Sequence, residues 1–185
     1  MGDLLWRREV QVCWLLNHKN KKMKTANHSI SPPKATIPAS ALNSEKITRF
    51  ATEAMRVADR QTLLVIGPVE NVGQLLAQTG FNLTGFTRIL DNYGVRHTMK
   101  HHGNPAWELK RGQLAVTFED FGLIPLITGE PDTAYADGKT KIGREVMVFS
   151  KLVDGIGYLH VEEVRGGHKL VATVSMRKKK GAWSA

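Results

Sequence analysis

Apolar positions recur at helical spacing through the first half of the chain and at every second residue beyond Asp132. Ser44 opens a helix signal, and Ile47, Phe50, Ala51 and Met55 fall on one face, which predicts a helix over 45–58. The β-rich run 63–66 ends at Gly67-Pro68, a strand followed by a turn. Residues 71–78 read as a helix closed by Gly80, and 84–92 as another closed by Gly94. A third short helix, 95–102, is stopped by Gly103, Asn104 and Pro105. Thr117-Phe118-Glu119-Asp120 resembles a helix cap with acid in the first turn, but Gly122 and Pro125 keep that helix short or irregular.

The period-two region carries two hairpin signals. Asp154-Gly155 joins a strand over 145–153 to one over 156–165, and Gly166-Gly167 joins that strand to 168–178. Helices first and an antiparallel meander after predict an α+β fold, with N-terminal helices packed on one face of a small antiparallel sheet. Two-residue loops fix a register. Val153 faces Ile156, so Lys151 faces Tyr158 and Phe149 faces His160. The second loop then sets Tyr158 opposite Ser175 and His160 opposite Thr173. One face carries these residues with Glu162 and Arg177. The other carries Val146, Val148, Leu159, Val161, Leu170, Ala172, Val174 and Met176, and is expected to take the helices.

The 185 residues suit one domain over 45–180, with a basic Ser/Pro-containing tail over 1–44 and a short end at 181–185. In the tail, Trp6 and Trp14 could anchor a short helix. Net charge is +9, and two thirds of that excess lies in the first 60 residues. This fits nucleic acid as a partner, and equally a solvated tail. One cysteine, Cys13, excludes an internal disulfide. No window is apolar enough to span a membrane, and Arg7, Arg8 and Glu9 inside the run 4–16 argue against a signal peptide.

The stretch from Val95 to Gln113 concentrates the candidate chemistry: three of the seven histidines, four cations and Glu108. His97 and His101 are spaced i, i+4, so a helix puts both on one face. Metal-free RNA cleavage needs a base for the 2′-hydroxyl, an acid for the 5′-oxygen and donors for the phosphorane. His97, His101 and Arg111 could serve with Lys151, Tyr158, His160, Glu162, Ser175 and Arg177 from the polar sheet face. Each also has a plainer reading. The histidines can cap a helix as cations, and the polar face can be solvated. A zinc reading of His97-x3-His101 lacks a third spaced ligand and the HExxH glutamate, and no P-loop, GxGxxG or GxSxG is present.

The order of several segments is recognisable. LVIGPV at 64–69, the R-H-x3-H-H-G run at 96–103 and ELKRGQ at 108–113 are followed by VTFEDFGLIPLITGEPD at 116–132. VFSKLVDGIGYLHVEEVR at 148–165 and TVSMRKK at 173–179 complete the series. Together they resemble the phage-associated ribonuclease-like domains of the barnase–EndoU–colicin–RelE superfamily, found at the end of Mu F-like phage head proteins and in polymorphic toxins. The resemblance implies an α+β fold and metal-independent endoribonuclease activity without a cofactor. It maps the histidine motif to His97 and His101, the strand lysine to Lys151, and the last-strand pattern to Ser175, Met176, Arg177 and Lys178. There Ser replaces the usual Thr, and Arg replaces an aromatic residue.

The resulting expectation is a phage or toxin effector that cleaves RNA. His97 or His101 is general base or acid, Lys151 and Arg177 stabilise the phosphorane, and Ser175 holds a phosphate oxygen. Arg111, Gln113, Tyr158, Glu162 and Lys178 contact substrate. His160 and Glu162 are the substitute acid–base pair if the histidine helix lies far from Lys151. Alternative readings are a non-catalytic nucleic-acid-binding module and a structural phage head component. Expected partners are RNA, an immunity protein or antitoxin, and a phage head protein, with no membrane. The expected place is the bacterial host cytoplasm or the virion.

Overall fold

The structure is a computed structural model that describes residues 44–57 and 59–183. Apart from Ser44, the expected tail over 1–44, with Trp6 and Trp14, lies outside the described residues.

Helix α1 (Ser44–Ala54) buries Ile47, Ala51 and Ala54, an i, i+4, i+7 stripe. Strand β1 (Leu63–Pro68) leads to α2 (Val72–Thr79), which ends on Gly80 at φ 78°, with its N–H donated to the Leu76 carbonyl. Strand β2 (Thr87–Asp91) runs directly into α3 (Asn92–His102). A short α4 (Pro105–Lys110), a 3-10 turn (Glu119–Leu123) and α5 (Ile124–Gly129) follow. Strands β3 (Thr133–Lys139), β4 (Glu145–Val153), β5 (Ile156–Arg165) and β6 (Leu170–Lys180) complete one six-stranded sheet. Its order is β1-β2-β6-β5-β4-β3. All neighbours are antiparallel except β2 and β6, which run parallel.

The α+β class holds, with a larger and mixed sheet. The Asp154-Gly155 turn forms as expected, both residues at positive φ, and it sets Val153 opposite Ile156, Lys151 opposite Tyr158 and Phe149 opposite His160.

Three expectations are corrected. Residues 87–91 are a strand, not part of a helix over 84–92. The segment TRILD is stabilised by hydrogen bonding on both sides, to β1 and to β6, and long-range pairing overrides local pattern. Gly94, expected to close that helix, instead lies inside α3.

The connection after β5 is longer than two residues. A 3-10 turn over Gly166–His168 and Lys169 at φ 49° make Arg165 pair with Leu170. A bulge at Val174 then shifts the register again, so Tyr158 faces Lys178 rather than Ser175, and His160 faces Met176 rather than Thr173.

The helices also cover the opposite face from the one expected. The main core joins Ile47, Ala51, Val95, Phe121, Ile124 and Ile127 to Met147, Phe149, Tyr158, Val171 and Met176. Val146, Val148, Leu159 and Val161 form a smaller cluster with Val174 and Trp183. The face read as polar is buried because its charges neutralise one another. Arg88 of β2 donates from Nε to Glu162 at 2.7 Å, and His160 Nε2 lies 3.2 Å from the same oxygen. Arg88 also stands 5.7 Å over the Phe149 ring.

Candidate active site

Helix α3 is placed by the strand that precedes it. β2 pairs with β6 only as far as Ala172, and α3 then takes over against the rest of β6. Asp91 caps the helix through a 2.9 Å bond from the Gly94 N–H. Gly94 is required here, because a Cβ would stand 2.2 Å from the Thr173 carbonyl oxygen. Beyond this close approach, Thr98 and His102 are buried, while His97 and His101 are half-buried.

The three imidazoles are neighbours. The rings of His97 and His101 have centroids 4.8 Å apart, and those of His101 and His102 are 6.5 Å apart. Asn104 accepts from the N–H groups of Ala106 and Trp107 and so starts α4. That helix carries the fully buried Glu108 to within 3.5 Å of His102 Nδ1. Arg111 donates to Glu108 at 2.9 Å and to the His101 carbonyl at 3.3 Å. The following segment is sewn between helix and sheet. Leu114 N–H donates to the Lys178 carbonyl, and Val116 N–H to the His102 carbonyl. Gln113 is thereby brought beside β6.

From β6 comes the buried Arg177. Burial lowers the His97 pKa to about 4, helped by the charges of His101, Arg177 and Lys100. Burial lowers His102 further, to about 2, with Arg177, His97, Arg111 and His101 contributing. Both rings are neutral at pH 7. Ser175, two residues before Arg177, is also buried. Its hydroxyl, those of Thr98 and Thr173, and Gln113 Oε1 have no hydrogen-bond partner among the described residues. Buried polar atoms normally find partners. These four orphans come from α3, β6 and the segment that bridges them.

Other expected residues lie apart from this cluster. Lys151 reaches the Glu130 carbonyl at 2.5 Å and lies 3.9 Å from Asp132. β5 and β6 stand between its strand and α3, so with strand spacing near 4.8 Å its backbone is about 10 Å from β6. Tyr158 and Lys178 face each other and converge on Asp120, at 2.9 and 2.6 Å. Burial raises the Tyr158 pKa, and its hydrogen bond to Asp120 adds to the rise. Lys151 thus does not share the histidine cluster as expected, and the substitute pair, His160 and Glu162, is wholly enclosed in the Arg88 network and closed to a substrate.

Residue types and spacing alone missed three members of these arrangements. Arg88 was hidden in a segment read as helix. Glu108 stood inside the ELKRGQ motif with no assigned role, and Asp120 inside VTFEDFG was read only as a cap. Among the described residues, no three His, Cys, Asp or Glu side chains are grouped to hold a metal ion. No helix among them is long and apolar enough to cross a membrane.

Residues 67–184 match the family described as phage-Barnase-EndoU-ColicinE5/D-RelE like nuclease3. The chain belongs to this nuclease family. The match takes in β2, α3, α4 and β6, and so every element that builds the histidine cluster of this nuclease. No curated protein matches the chain, and no solved structure does.

Proposed function

We propose that this nuclease is a metal-independent endoribonuclease, with its centre where α3 and α4 meet β6. The observation that carries the reading is the gathering of three imidazoles and the Arg177 charge at one sheet edge. His97, neutral at pH 7, takes the proton of the ribose 2′-hydroxyl. The 2′-oxygen attacks phosphorus and the bond to the 5′-oxygen breaks. His101 gives that oxygen a proton, leaving a 2′,3′-cyclic phosphate and a 5′-hydroxyl end. Arg177 stabilises the added charge of the phosphorane, Ser175 donates to a phosphate oxygen, and Arg111 holds the flanking backbone. This chemistry uses the 2′-hydroxyl as nucleophile, which is why RNA rather than DNA is the substrate.

In this reading Lys151 is a fastener of the β3–β4 edge, and Lys178, Tyr158 and Asp120 hold β6 in place. Gln113 faces the substrate side. The words phage and colicin in the family description favour a phage or toxin effector acting in a bacterial cell. An immunity protein or antitoxin and a phage head protein are its proposed partners.

The low His97 pKa favours a second reading, an RNA-binding module without catalysis, because so weakly basic a ring is a poor proton acceptor. A bound phosphate opposes the neighbouring cations and raises that pKa. One experiment separates the readings. Purified full-length protein is incubated with RNA or DNA in EDTA. Cyclic-phosphate ends from RNA and intact DNA support the endoribonuclease. Salt-sensitive RNA binding without product supports the module.

A further inference from the structure

Trp107 is the most exposed aromatic side chain among the described residues, at 57%. It is not on a loose loop. Its own N–H is held by the Asn104 cap, and the next residue, Glu108, is fully buried. It lies four residues before Arg111, the residue that caps the C-terminus of α4, and both are exposed. Arg111 in turn is pinned to the His101 carbonyl and to Glu108. Lys110, also exposed, flanks the pair. An exposed indole on the short helix that carries Glu108 to His102, followed by Lys110 and Arg111, has the composition of a stacking platform for a nucleobase. Aromatic faces take any base, and the cations follow the backbone.

We infer that Trp107 stacks on an unpaired base next to the cleaved phosphate, so that the substrate is single-stranded RNA. This rests on the endoribonuclease reading above. With the cleaved phosphate at the histidines, Arg111 holds the flanking backbone, and the adjoining nucleotide turns its base onto the indole. A base within a duplex is already stacked and paired, so duplex RNA cannot use this surface without being opened.

The test compares wild type, Trp107→Ala and Trp107→Phe on an unpaired oligoribonucleotide, on its duplex, and on a fully 2′-O-methylated copy that cannot be cleaved. Trp107→Ala is expected to raise KM roughly 5- to 100-fold, the range of one lost stacked base, with kcat little changed. Trp107→Phe should recover most of the loss. Affinity for the methylated copy should fall by a similar factor in Trp107→Ala, and wild type should cut the duplex far more slowly. A KM within twofold of wild type for Trp107→Ala overturns the inference while leaving the ribonuclease reading intact, and points to another use for the exposed ring, such as docking a protein. If wild type binds the methylated RNA through Trp107 but cuts nothing, the stacking stands and the catalytic reading falls. If wild type neither cuts nor binds, both fall.

Discussion

Two regions of the nuclease bring histidine beside carboxylate, and they differ in how far they are open to solvent. In the middle of the sheet, His160 and Glu162 are fully enclosed, and Arg88 completes their charge balance. Burial pushes the Glu162 carboxyl up, yet Arg88 and the His160 hydrogen bond outweigh it and hold the group below the usual carboxylate range. At the sheet edge, Glu108 is equally buried, but it backs a row of three histidines of which His97 and His101 are only half-buried. The central contact is a hydrogen bond at 3.2 Å, whereas His102 Nδ1 and Glu108 Oε2 stand 3.5 Å apart without one. Access sets the two apart: His97 and His101 are half-buried, whereas His160 and Glu162 are closed to solvent.

Substitutions can break this contrast. The largest effect is expected at the edge. His97→Ala or His101→Ala should lower kcat on RNA by about 10²- to 10⁴-fold with the fold intact, read by steady-state kinetics alongside circular dichroism. Equal activity of both variants would remove the edge from the mechanism. At the centre, Glu162→Ala leaves Arg88 buried against nothing and should cost about 3–5 kcal/mol in denaturant unfolding. The activity of its folded fraction should stay near wild type. Gly94→Ala joins the two measurements. Its Cβ would collide with the Thr173 carbonyl and push α3 off β6. A destabilisation of about 1–3 kcal/mol is expected, with a loss of kcat that the centre variant does not show.

A separate effect is a dependence of stability on pH. His97 and His102 have folded-state pKa values lowered to about 4 and about 2, against 6.5 when unfolded. Below pH 6.5 the unfolded chain takes up protons that the folded chain refuses. Stability is therefore complete above pH 6.5 and declines as pH falls through 4. Thermal unfolding across pH 4–7 should show the decline, and His102→Gln should shallow it. An unchanged slope in that variant would mean that other groups set it.

Sequence pattern revealed whatever depended on near neighbours. The Asp154-Gly155 turn needs only two residues to fix β4 against β5. The i, i+4 spacing of His97 and His101 survives because α3 is a helix whatever it packs on. The segment 87–91 was misread because its strand character comes from β1 and β6, not from its own residues. The last strand was misplaced because the connection after β5 is longer than Gly166-Gly167, and because a bulge at Val174 leaves no mark in an alternating run. The face covered by helices was mistaken for a related reason. His160 and Glu162 look like solvent-facing residues until Arg88 is brought to them from β2. As for the site, the histidines and Arg177 were nominated by type and by resemblance. Glu108 and the orphaned hydroxyls of Thr98 and Thr173 emerge only from packing.

The position of β6 also governs when the nuclease can exist. This strand lies between β2 and β5 and pairs in parallel with residues far earlier in the chain, 87–89 with 170–172. Such contacts close a long loop, which slows folding and comes after local helices and hairpins have formed. Before β6 inserts, the histidine helix has no Arg177, no Ser175 and no sheet edge to lie on. Helices and the β4–β5 hairpin can assemble early, but a chain at that stage lacks the cluster of histidines and Arg177. Under the proposed function, catalytic competence would arrive only with this long-range pairing, and a nascent chain would spare the RNA around it until β6 is in place.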